Sequence, residues 1–111
     1  MRLPDNSVIA REKITDYLLV RQSRNDKADF LSKGGFTAAN PDVLIESLVG
    51  LREQHEATPV DDNRFGFYYE VVGILRGPTG AALRVRTIWM TEHLSGTTKF
   101  ITLIPIGTLD P

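Results

Sequence analysis

The stretch LRGPTGAALRVRTIWM, Leu75–Met90, decides the fold. Two apolar, β-branched runs flank a tight corner. Pro78 suits the first turning position, and Gly80 suits the left-handed position of a three-residue hairpin loop closed by a glycine bulge. That loop sets a register in which Gly77 faces Ala81, Leu75 faces Leu83, Gly73 faces Val85, Val71 faces Thr87 and Tyr69 faces Trp89. This face is almost wholly apolar and is expected to be the core face. The opposite face pairs Ile74 with Arg84, Val72 with Arg86, Glu70 with Ile88 and Tyr68 with Met90. A slip of one residue would exchange the faces and drive both arginines into the core, which is physically expensive.

Working outward, HLSGT (His93–Thr97) permits a second loop of the same type with Gly96 in the left-handed position. Continuing that register places Ile101 and Leu103 on the core face, and Phe100, Thr102 and Ile104 on the second face. The period of two predicts strands at about 65–75, 82–92 and 98–104. EATPVDDN before them reads as a loop rich in turn formers and acids, with room for a short extra strand that the pattern does not require.

Upstream the period is helical. Ile9, Lys13, Ile14, Tyr17, Leu18 and Leu19 recur at three- and four-residue spacing and predict a helix over 9–20. Asp26 caps a short helix over 27–33, with Phe30 and Leu31 inward and Gly34 as its stop. Asn40 as N-cap, Pro41 at the first helical position and Asp42 beside the positive dipole end open a third, over 41–55. Helices followed by hairpin-joined strands give an α+β fold: two to three N-terminal helices on one face of a three- to four-stranded antiparallel meander. At 111 residues one domain, 1–111, is expected.

Composition narrows the function. The net charge is −1, so an anion-binding role needs a local basic patch. There are no cysteines, which excludes disulfides, thiolate metal sites and a cysteine nucleophile. The two histidines match no zinc spacing, so neither a metal nor another cofactor is expected. No apolar run approaches the ~20 residues of a membrane span, and the amino end lacks the apolar region of a secretory signal. A cytoplasmic location with no membrane partner is the expectation.

The second sheet face is the candidate site. It mixes Glu70, Arg84, Arg86, Thr102 and Tyr68 with Val72, Ile74, Ile88, Met90 and Ile104, too many large aliphatics for a face meant only for solvent. Guanidiniums grip phosphate oxygens, and a carboxylate beside them can take an attacking proton, a combination suited to RNA cleavage through the ribose 2′-hydroxyl. The plain alternative is a Glu70–Arg86 cross-strand salt bridge. His55 ends the third helix, where it serves either as an acid–base group or as a partner of the helix dipole. Lys13 and Lys27 read from composition as surface lysines, and Tyr17 as a core aromatic with a bonded hydroxyl. Thr87 falls on the core face, where its hydroxyl needs a partner.

KITDYLL (Lys13–Leu19), KADFLSKGGF (Lys27–Phe36), FGFYYEVVGILRGPTG (Phe65–Gly80), RVRTIWM (Arg84–Met90) and FITLIP (Phe100–Pro105) occur here in that order. Together they resemble a family of small bacterial domains with the pattern K-L-x-x-Y-L-L, K-x-x-F-F-x-x-x-G-F, G-x-x-Y-x-V, V-R-T-x-W and L-V-T-x-x-P. Members of that family stand alone or end bacterial polymorphic toxins, and their layout is similar to metal-independent ribonucleases of the barnase, EndoU, colicin and RelE kind. By position, the resemblance points to Lys13, Tyr17, Lys27, Arg86, Thr87 and Thr102. FITLIP departs from the more polar or aromatic ending usual in the family.

Two expectations follow. The first is a ribonuclease-like, toxin-type domain acting on RNA, with Arg86, Glu70, His55 and Lys13 catalytic, and Arg84, Lys27, Tyr17 and Thr102 binding. The second is a non-catalytic module whose second sheet face pairs with another protein or with a second copy of the chain.

Overall fold

The computed structural model describes residues 1–21, 23 and 26–109. Three helices precede four strands: α1 (Arg11–Lys13, continuing as a π-helical turn over Ile14–Leu18), α2 (Lys27–Ser32), α3 (Pro41–Gln54), β1 (Thr58–Asp62), β2 (Gly66–Arg76), β3 (Ala82–Glu92) and β4 (Thr98–Leu109). The strands form one antiparallel sheet in the order β1-β2-β3-β4. The fold is α+β, a helical layer on a four-stranded meander.

The β2–β3 pairing matches the register expected from the turn, from Gly66 opposite Glu92 to Arg76 opposite Ala82. Gly80 (φ 82°) and Gly96 (φ 71°) hold the left-handed positions of the two hairpins. The turn also docks onto the end of α2: the Thr79 amide donates to Gly34 O at 3.1 Å and the Thr79 hydroxyl to Lys33 O at 2.8 Å. Gly77 makes this approach feasible, because a Cβ there would lie 1.9 Å from Gly34 O.

The core lies between the helices and one sheet face. Ile14, Leu18, Leu31, Phe36, Leu44, Leu48 and Leu51 pack with Val71, Leu75, Leu83, Val85, Trp89 and Leu103. Within it, the Trp89 indole donates to Thr87 Oγ1 at 2.8 Å, and the Thr87 hydroxyl donates to Val71 O at 2.8 Å. The buried hydroxyl thus has both its partners, and Thr87 serves packing.

Several local expectations need correction. β4 carries two bulges, where its register against β3 shifts between Ile88 and Trp89 and again between Arg84 and Val85. The first inserts Ile101, so Phe100 stands opposite Trp89, buried at 1% exposure with its ring edge-on to the indole at 5.3 Å. Phe100 therefore belongs to the core face and not the second. β4 also runs to Leu109, past the expected end at 104, and the fourth strand exists as β1.

The first helix is not a regular α-helix over 9–20. It begins at Arg11 and widens at once, the Leu19 amide reaching back five residues to Ile14 O at 3.0 Å. α2 ends on Gly35 (φ 88°), not Gly34, with the Phe36 amide returning to Leu31 O at 3.2 Å. Asn40 holds the N-cap position of α3 without capping it. Its side-chain oxygen accepts from the Thr37 amide at 2.8 Å, and its amide donates to Gly35 O at 3.1 Å, bracing the α2–α3 loop.

Candidate functional site

The second sheet face stays outside the core cluster, none of its side chains contributing to it. Along it, Glu70, Ile88 and Thr102 form one cross-strand row, and Val72, Arg86 and Ile104 the next. Arg86 and Thr102 are therefore diagonal neighbours, with Cα atoms ~7–8 Å apart.

Arg86 grips Glu70 through two donors. Its Nε lies 2.8 Å and its Nη2 2.5 Å from the same oxygen, Oε2. The pair is half-buried, the Arg86 side chain 39% exposed and that of Glu70 23%. Both bonds converge on one oxygen, and no hydrogen bond among the described residues engages Glu70 Oε1 or Arg86 Nη1.

A second cluster lies at the β4 edge, built around Thr102, the diagonal neighbour of Arg86. Lys27 Nζ donates to Thr102 Oγ1 at 2.9 Å and to the Tyr17 hydroxyl at 3.3 Å. Lys13 Nζ donates to Ile101 O at 3.1 Å, on the residue that the bulge inserts. Tyr17 sits in the π-helical turn and Lys13 at its start, so the widened turn sets the offset between them. Bulges and π-turns recur where a side chain must be re-aimed at a site. The Lys27 ammonium is the main reason the Tyr17 phenol ionises more readily than an ordinary tyrosine, with Thr102 and Lys13 acting in the same direction. At 41% exposure Tyr17 is a surface group and not the core aromatic that the helical pattern implied.

The structure thus brings together Lys13, Tyr17, Lys27 and Thr102 at the β4 edge, and through Thr102 it relates them to Arg86, its diagonal neighbour, which holds Glu70. Arg84 and His55 stand elsewhere. Arg84 lies one row further along, opposite Ile74, and lines an open groove with His55, Gln54 and Arg76. The His55 ring donates from Nδ1 to Leu51 O at 3.0 Å and lies over Gly73. The lysine cluster was legible only through the family pattern, because helical spacing across a π-turn misreports which side chains share a face.

Sequence reasoning also missed Arg52. It is 4% exposed in the last turn of α3, donates to Pro4 O at 2.9 Å, and anchors the amino-terminal segment. Its Nε is buried without a partner among the described residues.

None of the curated proteins matches the chain. Among solved structures, it is similar to a chain of a contact-dependent growth inhibition toxin–immunity protein complex from Klebsiella pneumoniae 342. The TM-score is 0.69 at 21% identity, covering 90% of this chain and 100% of the other, a likeness of fold. No described helix is long and apolar enough to cross a membrane. Residues 2–107 match the family described as a domain of unknown function, DUF6883, and the chain belongs to that family.

Proposed function

We propose that this domain is a toxin-type ribonuclease that cleaves RNA without a metal ion, using the face where Glu70–Arg86 meets Lys13, Tyr17, Lys27 and Thr102. The observation carrying this reading is the Lys27–Tyr17–Thr102 cluster, which supplies cationic and proton-donating groups beside a carboxylate–guanidinium pair. In the reaction the ribose 2′-oxygen attacks phosphorus. An O2′–P bond forms, the P–O5′ bond breaks, and the products carry a 2′,3′-cyclic phosphate and a free 5′-hydroxyl.

Glu70 takes the 2′-hydroxyl proton on Oε1 while Arg86 holds Oε2. Arg86, Lys27 and Lys13 stabilise the charge growing on the phosphoryl oxygens. Tyr17, more acidic than a free phenol, protonates the leaving O5′. Thr102 positions Lys27. His55 has no part in this scheme, since its ring is engaged with Leu51 O in the groove that Arg84 lines.

The test is incubation of the purified chain with total tRNA in chelator across about pH 5–8, with cyclic-phosphate ends mapped on any product. Arg86→Ala and Lys27→Ala should each lower cleavage by roughly 10²–10³. Absence of cleavage by the folded wild-type chain, or cleavage only with added metal, contradicts the reading. A second reading, a protein-binding module, draws on the solved neighbour's being one half of a protein complex. Under it, the aliphatic part of the second face meets a partner or another copy. Light scattering at high concentration decides the homodimer version.

A further inference from the structure

An exposed strand edge invites pairing, and natural sheets guard against it. Three stretches of edge in this sheet are guarded. β1 carries Pro59, a register break between Pro59 and Asp61, and the charges of Asp61 and Asp62. The start of β4 is paired: the Val8 amide donates to Thr98 O and the Phe100 amide to Val8 O, each at 2.8 Å. Further along, Lys13 occupies Ile101 O, and Pro105 interrupts the row of donors.

The far half of the β2 edge has no such device among the described residues. β1 covers β2 only as far as Glu70, leaving residues 71–76 without an outer partner strand. No backbone hydrogen bond from the described loops or turns reaches them. Gly66 O accepts from the Asn63 amide on the β1 side at 3.1 Å, so by alternation the amides of Val72, Ile74 and Arg76 point outward. They form one side of an open groove of about 640 Å³, with Gln54 and His55 along its other wall. The groove is basic. Arg76 and Arg84 line it, and among the described residues no carboxylate does and no ion pair engages either arginine.

We propose that the edge of β2 over residues 71–76 is a docking site for an extended, acidic segment of a partner protein, which adds as a strand between β2 and the end of α3. Alternating outward N–H and C=O groups suit a peptide backbone, and the carbonyls among them repel a nucleic-acid phosphate. The two arginines then select glutamate or aspartate side chains on the face they share. A second copy of this chain fits less well, since its own β2 edge would bring a further Arg76 and Arg84 into the same groove. The inference is independent of the ribonuclease reading.

The experiment titrates the isotope-labelled full chain with an end-blocked heptapeptide of alternating glutamate and valine, followed by amide NMR and hydrogen exchange. Expected are shifts confined to residues 71–76 and to the groove residues Gln54, His55 and Arg84, with slowed exchange at Val72, Ile74 and Arg76. Added salt should weaken the effect, because both arginines are exposed. Arg84→Ala with Arg76→Ala should reduce affinity at least tenfold. Ile74→Pro should abolish it while the β3–β4 amides keep their shifts; if that variant misfolds, a peptide N-methylated on its edge-facing amides must fail instead. Equal binding of a lysine–valine peptide, preferential protection of the same amides by oligouridylate, shifts elsewhere, or self-association through these amides overturns the proposal.

Discussion

Gly77→Ala should be among the most damaging single-methyl changes in this protein. The added Cβ would lie 1.9 Å from Gly34 O, so the carbonyl must retreat by about 1 Å before even a tight 3.0 Å contact is reached. Gly34 O is the acceptor for the Thr79 amide at 3.1 Å, and the neighbouring Lys33 O accepts the Thr79 hydroxyl at 2.8 Å. Losing both bonds costs about 1 kcal/mol each. Forcing the hairpin off the α2–α3 loop adds about 1–3 kcal/mol of strain. Stiffening the unfolded chain returns about 0.4–1 kcal/mol. The net loss should be about 2–4.6 kcal/mol, read as a lower urea midpoint at unchanged slope. Gly50→Ala in the interior of α3 is the control, because nothing lies within 4 Å of its Cβ position. That change should stabilise by about 0.5–1 kcal/mol. A Gly77→Ala loss below about 1 kcal/mol would refute the argument that this contact locks the hairpin to the helices.

A double-mutant cycle of Arg86→Met and Glu70→Gln should give a coupling of about 1 kcal/mol in urea melts, modest because the pair is half-exposed. If the pair is only a cross-strand brace, tRNA cleavage by the folded variants will be unaltered, whereas the proposed chemistry requires both to lose it. The Tyr17 phenol should titrate below the usual value near 10, and Lys27→Met should move it back up, read as ultraviolet absorbance against a Tyr17→Phe blank. A lowered phenol pKa adds stability that is fully present above the ordinary value near 10 and is lost as pH falls through the lowered one. Thr87→Val should cost about 1–3 kcal/mol by stranding the Trp89 indole donor, visible in Trp89 fluorescence melts. Cleavage per folded molecule should be unaffected, since Thr87 is fully buried in the core.

Short-range rules were enough for the scaffold. Pro78 and Gly80 shaped one turn, and that turn aligned eleven residue pairs of β2 and β3 and separated Trp89 from Arg86. The helical period found α2 and α3, because their apolar stripes and boundary residues lie within a few turns of one another. The bulge at Ile101, the widened turn at Tyr17 and the unguarded edge past Glu70 were not legible. Each depends on groups far apart in the chain, such as Lys13 with Ile101 and Lys27 with Thr102. Strand alternation and helical spacing assume regular elements, and both assumptions fail at the bulge and the widened turn that shape the candidate site. The amino-acid order therefore fixes which side of the β2–β3 ribbon is apolar, through local backbone geometry alone. Only the folded chain decides which lysines reach that ribbon's other side and which length of its edge stays open, because those outcomes follow from how distant segments pack.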